Sequence, residues 1–296
     1  MLSIKEALGF LEDNLRITEV ENKLKENRPE LLKELLYNFI HVAPFQSIRT
    51  LSTKPDDRHL PSFQEIKEDI FDGKGGLCYA LNQFIKELLN VLNYDVYYAQ
   101  MAILDVDKSH VMVMVRNLIK PGDLHLVDVG MGHGSSDPIP LDFKEESPVY
   151  HIGFLYLKFV REDNVIIRYH KHDKKYEFPV NIDSKAWHVF GRITITPQDL
   201  DVFKPIMRDI YTVPGAFGTS PFLTELRCVI FEKGKIVAIK DTVLLVENDE
   251  HQLEVQEMTT HAQIISKVLK HFPSFSREMI EDALQASIVC SNIEKS

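Results

Sequence analysis

The residues best equipped for chemistry are Cys78, His110 and Asp128, in that order along the chain. Cys78 follows Gly73-Lys74-Gly75-Gly76-Leu77, and Leu81, Ile85, Leu88 and Leu92 continue from it at helical spacing. The pattern predicts a buried helix whose first turn carries the thiol. At a helix N-terminus the aligned peptide dipoles and unpaired N–H groups favour negative charge, and the thiolate is the form that attacks an acyl donor. The same N–H groups are suited to cradle an oxyanion. Gly75 and Gly76 keep side chains out of a substrate's way, and Lys74 adds a cation. Against this stands a plainer reading: free cysteine is among the most buried residue types and often acts only as a small hydrophobe. Cys228 and Cys290 lack the special setting and read as core or surface thiols.

His110 is expected to begin the alternating strand His110–Val115, with its ring at the rim of a barrel. Asp128 interrupts the apolar run Leu126-Val127-Asp128-Val129, where a carboxylate is costly unless it is hydrogen-bonded. His110 is its natural partner if the two strands pair through the turn near Pro121-Gly122. Alone, each has an ordinary explanation: a solvated strand-end histidine, or a carboxylate satisfied by backbone. Together they form the set a thiol acyl-transfer triad needs. Sulfur attacks, imidazole takes and returns a proton, and carboxylate fixes the tautomer.

The elements that must position these groups fall into three blocks. Up to about Asn93 the periodicity is helical: Ile4, Leu8, Leu11 and Leu15, then a helix opened by Pro29, then one over Ser62–Phe71. From Asp95 the period becomes two, with strands expected over Tyr97–Ile103, His110–Val115, His125–Gly130, Leu155–Val160, Val165–Tyr169, Val189–Thr196, Leu226–Glu232 and Ile236–Leu245. Helices return at Thr260–His271 and Ser276–Ser287. The fold class is α+β, with domains at 1–94 (helical bundle carrying the nucleophile), 95–205 (β-barrel carrying His and Asp) and 206–296 (α/β lid).

Bulk properties narrow the function classes. With 296 residues and 44% hydrophobic composition the chain can bury substantial cores. A formal net charge of -10 argues against non-specific nucleic-acid binding and against docking on anionic lipid. No apolar run reaches the roughly 18 residues of a membrane span. The opening MLSIKEALGFLEDNLRI reads as an amphipathic helix rather than a signal peptide. Three well-separated cysteines suggest reduced thiols in the cytoplasm.

Gly75-Gly76-Leu77-Cys78-Tyr79-Ala80-Leu81-Asn82 resembles the Arg-Gly-Gly-x-Cys-x-(Glu/Gln)-x-Asn signature of arylamine N-acetyltransferases. His110–Val115 is similar to that family's histidine strand, and Leu126–Gly132 to its Val-Asp-x-Gly-Phe-Gly strand. Ala43-Pro44-Phe45-Gln46-Ser47 resembles its Val-Pro-Phe-Glu-Asn segment, and Thr219-Ser220-Pro221-Phe222 the segment where many members have Ser-Pro-Phe. The resemblance implies a helical bundle, a β-barrel and an α/β lid around a thiol-protease-like catalytic core. It also implies ping-pong acetyl transfer from acetyl-CoA, through a Cys78 thioester, to an arylamine, hydrazine or N-hydroxyarylamine. By the same carry-over His110 and Asp128 complete the triad. Phe45, Met131 and Gly132 would line the acceptor pocket, and Thr219 and Ser220 the CoA cleft. No metal, nucleic acid or membrane partner is implied, and a monomer or weak homo-oligomer is expected.

Four positions depart from the family pattern: Lys74 for arginine, Gln46 for glutamate, Ala80 for Glu or Gln, and Met131 for an aromatic. A Lys74–Gln46 contact is expected in place of the family's ion pair. The run His170-Lys171-His172-Asp173-Lys174-Lys175 reads as a solvated hairpin tip, with CoA phosphate contact as the alternative, and Trp187 as barrel packing. Competing functions are amide synthesis from a larger acyl thioester, thiol hydrolysis of the papain or transglutaminase type, and a paralogue that binds ligand without turnover.

Overall fold

The computed structural model describes residues 1–133, 136–172, 186–218 and 220–293. Its first part is helical. Ser3 and Glu6 form a capping box at the start of α1 (Ile4–Gly9), which runs on as a π-helical stretch over Phe10–Asn14. Next come α2 (Val20–Glu26) and α3 (Arg28–Val42), the latter capped by Asn27 with Pro29 in its first turn. The two-residue strand β1 (Phe45–Gln46) precedes α4 (Ile48–Ser52). A second capping box, Ser62 with Glu65, starts α5 (Phe63–Phe71). Helix α6 (Cys78–Val91) closes this part. Short α2 and α4 escape periodicity analysis, because five to seven residues give too few turns to establish a stripe.

α6 is buried almost all round. Phe84, fully buried, lies 5.0 Å from Phe10, 6.0 Å from Phe39 and 6.1 Å from Phe71, ring centroid to centroid. That aromatic cluster pins α6 to the other helices, while its opposite flank packs on β2 and β3 of the sheet that follows.

That sheet comprises β2 (Asp95–Ile103), β3 (Val106–Arg116), β4 (Leu124–Val127), β5 (Ile139–Pro140), β6 (Tyr150–Ile152), β7 (Leu155–Glu162), β8 (Val165–His172) and β9 (His188–Gln198). They pair antiparallel in the order β5-β4-β3-β2-β9-β8-β7-β6 and curl into a half-barrel. Leu104 and Asp105, with φ of 50° and 60°, make a two-residue hairpin, so β3 starts at Val106. His110 therefore stands inside the strand, opposite Met101, rather than at its start as the sequence suggested. Asp128 falls one residue past the end of β4.

The last part contains α7 (Lys204–Thr212), β10 (Arg227–Glu232), β11 (Lys235–Lys240), β12 (Val243–Glu247), β13 (Leu253–Glu257), α8 (His261–His271) and α9 (Arg277–Ala286). The single strand expected over Ile236–Leu245 is two strands. Asp241, at φ 50°, breaks it, and its Oδ1 accepts from the Leu226 N–H at 2.8 Å. The five-stranded sheet runs β1-β10-β11-β12-β13 and shares a core with α8 and α9 that encloses Cys228 and Cys290. Its edge strand β1 comes from the helical part: Phe45 pairs with Val229 and Gln46 with Cys228. The helical bundle, curled central sheet and C-terminal α/β part agree with the architecture expected from the sequence.

Candidate active site

Cys78 is the first residue of α6. The N-cap, Leu77, supplies no side-chain cap, and the first turn carries no acid, so the positive end of the helix is left for the sulfur. The glycines before it are required by packing. A Cβ on Gly75, at φ +65°, would lie 1.9 Å from the Pro44 carbonyl oxygen, and one on Gly76 would lie 2.8 Å from Ala80 Cβ. Their N–H groups are also engaged, Gly75 with Asp69 O (3.3 Å) and Gly76 with Pro44 O (3.0 Å). The glycines thus fold the loop tightly under β1 so that the helix begins at the thiol.

His110 Nε2 donates to Asp128 Oδ2 at 2.9 Å, and both side chains are buried. With Nε2 so engaged, Nδ1 is the ring nitrogen left for Cys78, which lies near enough to help hold the imidazolium. Burial by itself disfavours an imidazolium. The Asp128 charge and hydrogen bond, with help from Cys78, overcome it and push His110 up to about 10. Burial likewise disfavours the Asp128 carboxylate, but His110, then Arg168 and Asn82, hold it down at about 2. Thiol, imidazole and carboxylate thus form one contiguous array in which the histidine and aspartate are both charged at neutral pH.

Two further residues complete this array. Fully buried Asn82, one turn along α6 from Cys78, donates to Asp128 Oδ1 (2.9 Å) and the Val111 carbonyl (2.8 Å), and accepts from the Val129 N–H (3.1 Å). The Gly130 N–H also donates to Asp128 Oδ1, at 3.1 Å. A side chain at Gly130 is excluded, because its Cβ would fall 2.7 Å from Cys78 Cα and 2.6 Å from Asn82 Nδ2. From β8 comes Arg168, 3% exposed, whose Nη1 lies 3.6 Å from Asp128 Oδ2. Its Nε donates to His170 Nε2 at 2.8 Å, and the His170 ring stacks on Phe190 at 3.9 Å.

The sequence reading missed these roles. Asn82 stands four residues after Cys78, the spacing of one helix face, and Arg168 interrupts an apolar strand as Asp128 does. His170, read as part of a solvated tip, is instead buried, with Arg168 as partner. Asp173, Lys174 and Lys175 lie outside the described residues.

The expected Lys74–Gln46 contact does not form. Lys74 Nζ turns to Asp72 (2.7 Å) and Asp69 (3.9 Å), while Gln46 Oε1 accepts from the Arg49 N–H at 2.9 Å. Lysine is a point charge on a flexible stem, and nearby carboxylates outbid a neutral amide for it. Gln46 Nε2 is left buried without a hydrogen-bond partner.

Phe45 is half-buried, with its ring edge-on to Phe222 at 5.6 Å. Gly132, at φ +74°, passes beneath Phe45, where an added Cβ would come within 3.3 Å of its ring. Met131 and Ser220 are half-buried; Thr219 lies outside the described residues. Tyr211, buried on α7, reaches the Leu77 backbone and lies close enough to Cys78 for the sulfur's charge to add to burial in raising its phenol. Trp187 is half-buried beneath the Lys158 ammonium, 5.0 Å from its ring. Among the described residues no cluster of three or more His, Cys, Asp or Glu could hold a metal ion, and no helix is long and apolar enough to cross a membrane.

Comparison with known proteins identifies this architecture. The N-acetyltransferase family model matches residues 30–274. The fold is similar to that of the arylamine N-acetyltransferase of Mycobacterium marinum, at 16% identity and a TM-score of 0.74, covering 96% of this chain and 99% of that one. The same enzyme in complex with CoA aligns at 15% identity, TM-score 0.74, over 95% and 99% of the two chains. An arylamine N-acetyltransferase of Bacillus cereus, described as having a unique Cys-His-Glu catalytic triad, aligns at 18% identity, TM-score 0.68, over 92% and 98%. No curated protein matches the sequence. The chain belongs to the arylamine N-acetyltransferase family.

Proposed function

We propose that this chain is an acetyl-CoA:arylamine N-acetyltransferase working by a ping-pong mechanism on Cys78, His110 and Asp128. The observation that carries this reading is the continuous thiol–imidazole–carboxylate array at the uncapped start of α6. The Cys78 thiolate attacks the acetyl-CoA carbonyl, and the tetrahedral intermediate expels the CoA thiolate, which takes the proton from the His110 imidazolium. The acceptor amine then attacks the Cys78 thioester. His110 removes the amine proton, the C–S bond breaks, and the amide leaves with the thiolate–imidazolium pair restored. Asp128 holds the ring in the tautomer this needs.

Phe45, Met131 and Gly132 fit an acceptor pocket beside the nucleophile, since β1 is bonded to Gly76 just ahead of Cys78. Methionine in that wall makes it more pliable than an aromatic would, favouring a broad range of amines or hydrazines. Ser220, with Thr219 beside it in the sequence, is assigned to the CoA cleft. Three unpaired cysteines suit a reducing compartment such as the cytoplasm.

Intact-mass spectrometry after mixing with acetyl-CoA tests the mechanism. One added acetyl group is expected, removed when an aromatic amine follows and absent in Cys78→Ala. Retained turnover in that variant would rule out covalent catalysis.

A further inference from the structure

Both carboxylate oxygens of Asp128 are occupied, and unequally. Oδ1 takes the neutral donors, Asn82 Nδ2 and the Gly130 N–H. Oδ2 faces two cationic groups, His110 Nε2 at 2.9 Å and Arg168 Nη1 at 3.6 Å. A guanidinium this buried is expensive to desolvate, and packing alone would be better served by an apolar side chain. Arg168 is also aimed: Nε is fixed by His170 Nε2, and the guanidinium carbon lies 5.3 Å from the Phe190 ring centre.

We propose that Arg168 is a positioning residue that shares Asp128 Oδ2 with His110 and so limits how tightly His110 holds its proton. This rests on reading Cys78, His110 and Asp128 as the acetyl-transfer triad. An aspartate devoted wholly to the histidine would make the imidazolium too weak an acid to protonate the departing CoA thiolate. A second cation on the same oxygen draws off part of that charge and repels the imidazolium directly. The titratable groups facing His110 are Asp128 and Cys78, and Arg168 faces the Asp128 carboxylate and the accepting nitrogen of the His170 ring. Every one of these lies on α6, β3, β8 or just past β4, so one substitution isolates the guanidinium's share.

The test follows the His110 ring by NMR of histidine-labelled protein, with its resonance assigned by loss in His110→Gln. In Arg168→Met and Arg168→Gln the alkaline titration midpoint of His110 is expected to rise by about one pH unit or more, the effect of removing a like charge at this range. Using two neutral variants guards against a failure of one to fold. Arg168→Lys keeps a cation and is expected to leave the midpoint within a few tenths of native. An unmoved midpoint in a folded neutral variant overturns the proposal, as does a rise in Arg168→Lys equal to that in the neutral pair. Acetylation of the native chain is scored separately. A shifted midpoint without acetylation defeats the transferase reading and leaves the Arg168 assignment standing; acetylation with no shift does the reverse.

Discussion

Asn82 bonds Asp128 across 2.9 Å from the same helix that begins with Cys78, so one element sets the position of both the thiol and the carboxylate. Replacing Asn82 by Ala strips partners from the Val111 carbonyl, the Val129 N–H and Asp128 together. Stability should drop by about 1–3 kcal/mol through the unsatisfied groups. Acylation of Cys78 should slow by on the order of tenfold or more, because small misplacements in an acyl-transfer site are costly. Thermal melts and a stopped-flow acylation assay would measure the two effects; native acylation in this variant would refute the role.

At Gly130, alanine is expected to be far more damaging to activity than to folding. Its methyl carbon must displace the Cys78 backbone or the Asn82 amide, both within 2.7 Å. The expected outcome is a folded protein with little or no thioester formed on mixing with acetyl-CoA. Normal thioester yield would show that the loop relaxes freely.

Thiol reactivity should separate the three cysteines. Burial raises Cys228 strongly and pushes Cys290 up to about 11, so neither supplies thiolate at neutral pH. Iodoacetamide should label Cys78 ahead of the other two, as read by peptide mass mapping. Equal labelling of all three would remove the special status of Cys78.

The His110–Asp128 pair predicts a defined pH window. His110 is raised from 6.5 to about 10, so its contribution to stability is full below 6.5 and fades as pH climbs through 10. Asp128 is lowered from 3.8 to about 2, so its contribution is full above 3.8 and fades as pH falls through 2. The excess melting temperature of the native chain over Asp128→Asn should therefore be flat between these ordinary values and shrink toward pH 10. A constant excess across the alkaline range would contradict the ion pair. The same variant should acylate severely more slowly, since its amide no longer fixes the tautomer.

The aromatic knot gives a control remote from the chemistry. Phe84→Ala should cost about 3–5 kcal/mol by denaturant unfolding while leaving Cys78, His110 and Asp128 in place. A loss below 1 kcal/mol would mean that α6 is held mainly by the sheet.

Much of this was legible in the sequence because the long elements carry strong periodic signals. α3, α5, α6, α8 and α9 and the main strands fall where apolar spacing puts them. The pairing of His110 with Asp128 was legible too, since a carboxylate inside Leu126–Val129 demanded a partner. What stayed hidden depended on tertiary neighbours. Nothing in the order of residues says that Gly75 must clear Pro44, that His170 turns inward to Arg168, or that Lys74 prefers Asp72 to Gln46. Nor does it reveal that a strand two residues long, β1, finds its place beside β10, because strand pairing at such separation is decided by packing rather than local preference.

That two-residue strand has a mechanical consequence. On one side it is zipped to the C-terminal sheet, and on the other its backbone clasps Gly76, two residues before the sulfur. The C-terminal sheet is thereby tied to the loop that starts α6, and a protein cut short before Arg227 would lose the strand that anchors this clasp.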